Sequence, residues 1–168
     1  KGTALAFAVS NRGGCHLRAS SYTPEIRGSY WKYKKVDRFA TLGKGQMIKD
    51  FEDLDTVYDV FGVCKFIRGT FLVTALVEFL PVVTGMVMTE VEIMGVAERV
   101  CNLERAFNVR EDFTRKFDNL PARVLTEPIP SGPSKGSYIK QEELNAMLDE
   151  YYKARGWDSD GRPATESV

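Results

Sequence analysis

Four stretches of this 168-residue chain carry apolar residues at spacings of three and four, and no turn dipeptide joins two alternating runs. That pattern specifies helices and leaves almost nothing from which a sheet could be paired. In the first stretch, Gly45 to Phe61, the residues Met47, Ile48, Phe51, Leu54, Val57, Tyr58 and Phe61 share one helical face. Lys49, Asp50, Glu52, Asp53 and Asp55 occupy the other, which reads as the wetted side. The second, Val63 to Leu80, is apolar nearly all round and predicts a helix in the interior of something larger. The third, Thr89 to Arg110, opens with Thr89 and Glu92 at capping-box spacing, and its expected inward residues are Ile93, Val96, Val100, Leu103 and Phe107. The fourth, Gln141 to Arg155, aligns Leu144, Met147, Leu148 and Tyr151 and stops at Gly156, a C-cap. The fold class expected is all-α, with a short irregular or extended piece near Tyr30 to Phe39.

One boundary interrupts the helical pattern. Between Pro121 and Ser137 stand Pro121, Pro128, Pro130, Gly132, Pro133 and Gly136, with few apolar residues after Leu125. This reads as a surface strap that ties the last helix back on. The expected division is a helical region over 1–120, the strap over 121–137, and a helix with its turn over 138–168. The acidic residues of Trp157 to Pro163 lack calcium-loop spacing, so that segment reads as an ordinary turn.

Charge excludes some partners. Lys plus Arg and Asp plus Glu are equal at 23 each, so no net field draws nucleic acid or an anionic lipid surface. Cys15, Cys64 and Cys101 are odd in number and far apart, unlike a secreted disulfide framework, which points to a reducing cytoplasm. Without a C-x-x-C, the chain alone contributes at most one ligand to a thiolate metal site. The apolar run Phe71 to Met88 is interrupted by Glu78, Pro81 and Gly85, which argues against a membrane span. The opening run Lys1 to Val9 ends in Ser10-Asn11-Arg12 with no cleavage site, and reads as a chain entering mid-domain.

Three segments contain chemically capable residues. In Asn11-Arg12-Gly13-Gly14-Cys15-His16-Leu17-Arg18, two glycines admit a close ligand and two arginines offer forked donors suited to phosphate. His16, the single histidine, is either a structural hydrogen-bonder or an acid/base or donor group beside an anion site. In Asp59-Val60-Phe61-Gly62-Val63-Cys64-Lys65-Phe66, Gly62 is expected to break the helix and free backbone groups around Val63. Asp59 is either a solvated charge or an acceptor for a polar ligand. Cys64 is either a small core residue or a thiolate favoured by the start of the next helix. In the third segment, Glu98 with Asn102, and Arg105 with Glu104 or Asp112, read as surface pairs, and Cys101 as core. The aromatics of Tyr30-Trp31-Lys32-Tyr33 either line a channel or pack into the core.

Taken in order, these segments resemble the aldehyde ferredoxin oxidoreductase family of tungsten-pterin enzymes. The likeness runs from Ser10–Arg18 through Asp59–Phe66, Glu98–Arg110 and Phe113–Pro121 to Tyr151–Asp158, almost the whole chain. The resemblance implies the multihelical C-terminal region of such an enzyme, closing over a tungsten (or molybdenum) bis-pterin held from the other side by an N-terminal domain. It further implies a [4Fe-4S] cluster, oxidation of an aldehyde to a carboxylic acid, and ferredoxin as electron acceptor. By the same resemblance Cys64 is a cluster ligand and Asp59 accepts from pterin nitrogens. The main chain at Val63 is a further pterin contact, Arg12 and Arg18 lie near the pterin phosphates, and His16 lies near the metal. The upstream cysteine trio and sheet domain that complete such a site are absent here, so the piece alone is expected to be inactive. Competing readings are a non-catalytic helical module, or a family member acting on an aryl or thioester substrate.

Overall fold

A computed structural model describes residues 1–69 and 72–164. Its α-helices are α1 (Gly2–Val9), α2 (Tyr22–Arg27), α3 (Lys44–Val60), α4 (Val73–Thr84), α5 (Glu90–Arg110), α6 (Ala122–Thr126) and α7 (Gln141–Arg155). Short 3-10 turns lie at Lys65–Ile67 and Arg115–Phe117. Among the described residues there is no strand, only isolated bridges such as Tyr30 with Tyr33, so the all-α expectation holds. No helix among them is long and apolar enough to cross a membrane. Phe71, where the apolar run to Met88 begins, lies outside the described residues.

Helix α3 is the axis of the molecule, with α1, α5 and α7 packed around it. Its apolar stripe is buried as expected: Met47, Ile48, Phe51, Leu54, Val57 and Tyr58 are all closed to water. Burying each such side chain contributes about 1.5–3 kcal/mol. The opposite face is not wetted, however. Asp50, Glu52, Asp53 and Asp55 are buried too, because each meets a donor from another element. Arg155 of α7 donates to Asp53 Oδ1 at 2.5 Å and Glu52 Oε2 at 2.8 Å, and Lys49 reaches Asp53 Oδ2 at 2.8 Å. Tyr33 donates to Asp50, and Ser20 to Asp55. Periodicity registers apolar residues and misses carboxylates whose cations arrive from elsewhere.

The helix ends also depend on neighbours. Glu25 of α2 accepts from the amides of Gly2 at 2.7 Å and Thr3 at 2.9 Å, capping α1. Glu150 of α7 accepts from the amides of Gly43 and Gly45 at 3.1 Å, capping α3. Helix α5 carries the expected capping box, with Glu92 accepting from the Thr89 amide at 2.7 Å. Helix α7 spans Gln141–Arg155 and ends at left-handed Gly156, as the sequence predicts.

Three expectations need correction. The run Val63 to Leu80 is not one helix: a 3-10 turn occupies Lys65–Ile67 and α4 begins only at Val73. Helix α4 buries Val73, Leu76 and Leu80 while Phe79, Val82 and Val83 face outwards. On α5 the buried stripe is Ile93, Ala97, Cys101, Asn102 and Arg105, whereas Leu103 and Phe107 are 60% and 56% exposed. Small Ala97 and Cys101 let α5 lie close on α3, and the polar pair is satisfied in place. Arg105 forks onto Asp118 at 2.8 and 2.7 Å, and Asn102 accepts from Trp157 Nε1 at 2.9 Å. Finally, the surface pairs expected on α5 do not form, because Glu98 binds Lys49 and Glu104 turns to the N-terminal loop. The aromatics Tyr30, Trp31 and Tyr33 pack around Phe51, with ring centroids 6.0, 6.0 and 5.6 Å away.

Candidate functional site

The chemically capable segments of the sequence are a loop, Asn11 to Ser20, and the turn that follows α3. The loop is anchored at both ends. At its start, Asn108 of α5 donates to the Asn11 carbonyl at 2.8 Å, and Asn11 Nδ2 donates to Glu104. At its end, the amide of Ser20 donates to Asp55 at 2.6 Å, and Arg68 braces Ser20 and Tyr22 at 2.5 Å each. Burial pushes the Asp55 carboxyl above its ordinary value, with Ser20 and Arg68 pulling the other way.

The turn is built by Gly62. At φ 66 it adopts the left-handed conformation that ends α3, and the Val63 amide folds back to the Tyr58 carbonyl at 2.9 Å. The break at Gly62 is as expected, but the Val63 amide is not free. No described residue donates a hydrogen bond to the Val63 carbonyl. Cys64 is exposed and precedes a three-residue 3-10 turn, too short to sum a helix dipole. It is therefore not a core residue.

Arg18 joins loop and turn. It is 7% exposed, and its Nη1 donates to Asp59 Oδ2 at 2.9 Å. Its Nη2 donates to Glu104. Lys65, next to Cys64, donates to the same Asp59 Oδ2 at 2.7 Å and to the Leu17 carbonyl, next to His16, at 2.6 Å. No described residue hydrogen-bonds Asp59 Oδ1. Arg12 is exposed and its Nη2 lies 3.2 Å from Cys15 Sγ. His16 is exposed, with its ring centroid 6.2 Å from that of Tyr22.

The structure thus brings Arg18, Asp59 and Lys65 into one ionic cluster, with exposed Cys64 next to Lys65 and exposed His16 two residues before Arg18. It does not enclose all the expected residues in one cavity. Arg12 and Arg18 line a cavity of about 420 Å³ with Asn11, Leu103, Glu104, Phe107 and Asn108. Val63 lines a separate apolar cavity of about 630 Å³ between α3, α4 and α5. No group of three His, Cys, Asp or Glu side chains among the described residues could hold a metal ion. These residues present an exposed thiol at Cys64, a carboxylate with a spare oxygen at Asp59, and an exposed guanidinium at Arg12. Glu104 and Lys65 are the members that sequence reasoning missed. Glu104 has no cation three or four residues away on its own helix, which was the available sign that its partner comes from elsewhere.

The family described as "Aldehyde ferredoxin oxidoreductase, domains 2 & 3" matches residues 1–168. The tungsten-containing aldehyde ferredoxin oxidoreductase of Pyrococcus horikoshii is 36% identical over 169 residues, covering 100% of this chain and 27% of that protein. Its counterpart from Pyrococcus abyssi is 35% identical with the same coverage, so the chain spans about a quarter of the length of these relatives. Among solved structures, the active-site complex BamBC of benzoyl coenzyme A reductase, in complex with 1,5-dienoyl-CoA, superposes with a TM-score of 0.63. That likeness covers 82% of this chain and 20% of the other at 21% identity, and is a likeness of fold.

Proposed function

The chain belongs to the aldehyde ferredoxin oxidoreductase family, and on that premise we propose that it forms the C-terminal wall of a tungsten- (or molybdenum-) pterin, [4Fe-4S] enzyme. That enzyme converts an aldehyde and water to a carboxylic acid, two protons and two electrons, with ferredoxin as the electron acceptor. The observation that carries the reading is the meeting of Arg18, Lys65 and Asp59 on a single oxygen, Asp59 Oδ2.

Bound in the parent protein, the metal–pterin group and the cluster supply the redox chemistry. This chain's residues bind and orient. With Oδ2 held by two cations, Asp59 offers Oδ1 as a fixed acceptor for pterin N–H groups. Arg12, exposed beside Gly13 and Gly14, offers its fork to pterin phosphate, and the Val63 carbonyl offers a main-chain acceptor. Arg18 acts differently from Arg12. Both its terminal nitrogens are engaged by carboxylates, so its contribution is to aim Asp59. The exposed Cys64 thiol serves as one cluster ligand, the remaining thiolates coming from the N-terminal part of the protein. His16 holds or releases a proton at an imidazole nitrogen near the reacting oxygen. Residues 1–120 close over the cofactor, 121–137 act as a strap, and 138–168 pack back on them. All three cysteines are free, in keeping with a reducing cytoplasm.

Elemental analysis of the full-length protein is the first test, and tungsten or molybdenum close to one per polypeptide is the expected result. Finding neither would overturn the proposal. Cys64→Ser in that protein removes or alters the cluster's EPR signal while the fold survives; an unchanged spectrum refutes the ligand role.

A further inference from the structure

Glu104 lies on α5, one turn before Asn108, and between them these two side chains hold the start of the N-terminal loop. Glu104 Oε2 accepts from Asn11 Nδ2, and Asn108 Nδ2 donates to the Asn11 carbonyl at 2.8 Å. The same Glu104 oxygen accepts from Arg18 Nη2, whose sister nitrogen donates to Asp59 Oδ2 at 2.9 Å. A guanidinium is a rigid planar fork, so fixing one prong fixes the other. Loop, α3 and α5 are therefore coupled through a single cation shared by two carboxylates. Burial raises the Glu104 carboxyl above its ordinary value and Arg18 opposes that rise, as expected for a carboxylate half-withdrawn from water beside one partner.

Nothing in the packing requires a carboxylate here. Leu103 and Phe107, on the same stretch of α5, are exposed, and α5 is secured elsewhere by Ile93, Ala97, Cys101 and the Arg105–Asp118 fork. What Glu104 determines is direction. It draws Arg18 across the gap so that Arg18 meets Oδ2 of Asp59, and it sets Asn11, hence the neighbouring Arg12, against α5.

We propose that Glu104 is a positioning residue for the pterin group, acting through Arg18 on Asp59 and through Asn11 on Arg12. The proposal rests on the cofactor reading above. Without Glu104, Arg18 is free to fork onto both oxygens of Asp59, and the acceptor left for the cofactor is lost.

The experiment uses the full-length protein with Glu104→Ala, Glu104→Gln, Asp59→Asn and, as an exposed control at the C-cap of α5, Glu111→Gln. Two quantities are read: the rate at which tungsten and pterin are released on dilution, and the thermal midpoint of the cofactor-free protein. Glu104→Ala is expected to release both about tenfold faster, the equivalent of one charge-assisted hydrogen bond lost from binding. Glu104→Gln, which keeps the oxygen acceptor but loses its charge, falls between it and wild type. Glu111→Gln releases at the wild-type rate, and the cofactor-free midpoints stay together. Should Glu104→Ala fail to fold, the near-isosteric Glu104→Gln alone decides. Wild-type release rates in the Glu104 variants, with Asp59→Asn releasing faster, overturn the positioning role and leave the cofactor reading standing. A drop in midpoint that accounts for the faster release makes Glu104 merely structural and also overturns it. A wild-type protein carrying neither metal brings down both.

Discussion

Arg155 Nη1 donates to Asp53 Oδ1 at 2.5 Å across the seam of α3 and α7, and both side chains are closed to water. The other terminal nitrogen engages Glu52 Oε2 at 2.8 Å. Burial would favour the neutral form of Arg155, but Tyr151, Asp53 and Glu52 reverse that and keep it charged. Removing one partner of such a group strands uncompensated charge. Arg155→Ala is expected to lose about 3–5 kcal/mol in urea unfolding. Arg155→Lys recovers only part, since a point charge cannot serve both acceptors.

Gly45 and Gly95 are both helical glycines, yet substitution should move stability in opposite directions. A Cβ at Gly45 would lie 2.3 Å from the Tyr151 nitrogen and 2.6 Å from the Glu150 carbonyl carbon, both backbone atoms of α7 that cannot step aside. Gly45→Ala is expected to cost about 1–3 kcal/mol through overpacking. At Gly95 the nearest atom is Arg99 Nη1 at 3.8 Å, and Gly95→Ala should gain roughly 0.5–1 kcal/mol. Thermal midpoints that move in the same direction would contradict this account.

The three thiols should separate by reactivity. Burial pushes the Cys101 thiol up to about 12. At Cys15 burial also opposes ionisation, but the amides of Leu17 and Arg18 and the Arg12 guanidinium outweigh it, and the thiol lies below its ordinary value. At pH 7 a maleimide or iodoacetamide, followed by mass mapping, should modify Cys15 and, in cluster-free protein, exposed Cys64, and reach Cys101 only on unfolding. Arg12→Ala slows Cys15 alone.

Glu25 caps α1 and holds a buried cation. It accepts from the amides of Gly2 and Thr3 at 2.7 and 2.9 Å and from Lys44 Nζ at 2.7 Å, with both charged side chains closed to water. Glu25→Ala strands the Lys44 ammonium and is expected to cost about 3–5 kcal/mol in urea unfolding.

Much of the fold was legible in the sequence because it is written in apolar spacing and end signals. The limits of α7, the Thr89–Glu92 box of α5 and the apolar stripe of α3 are of this kind. Where the reading failed, the deciding partner was remote. Nothing local says that Asp53 and Glu52 will meet Arg155, about a hundred residues away, or that Arg105 will leave the surface for Asp118. The break after Val63 did leave a trace, since Lys65, Arg68 and Gly69 interrupt the apolar run that was read as one helix. For the site, residue types could be read from the sequence but pairings could not. Arg18 was expected to offer its fork to a phosphate, yet it is engaged by Asp59 and Glu104, and only the fold brings those two helices to one arginine.

The polar girdle of α3 has a consequence for how such a sequence can vary. Each acid along it answers to a base, hydroxyl or phenol on a different element, so exchanging one member alone leaves its mate stranded in the dark interior. Divergence along this rod should therefore proceed by matched exchanges, Asp53 changing with Arg155 or Asp50 with Tyr33.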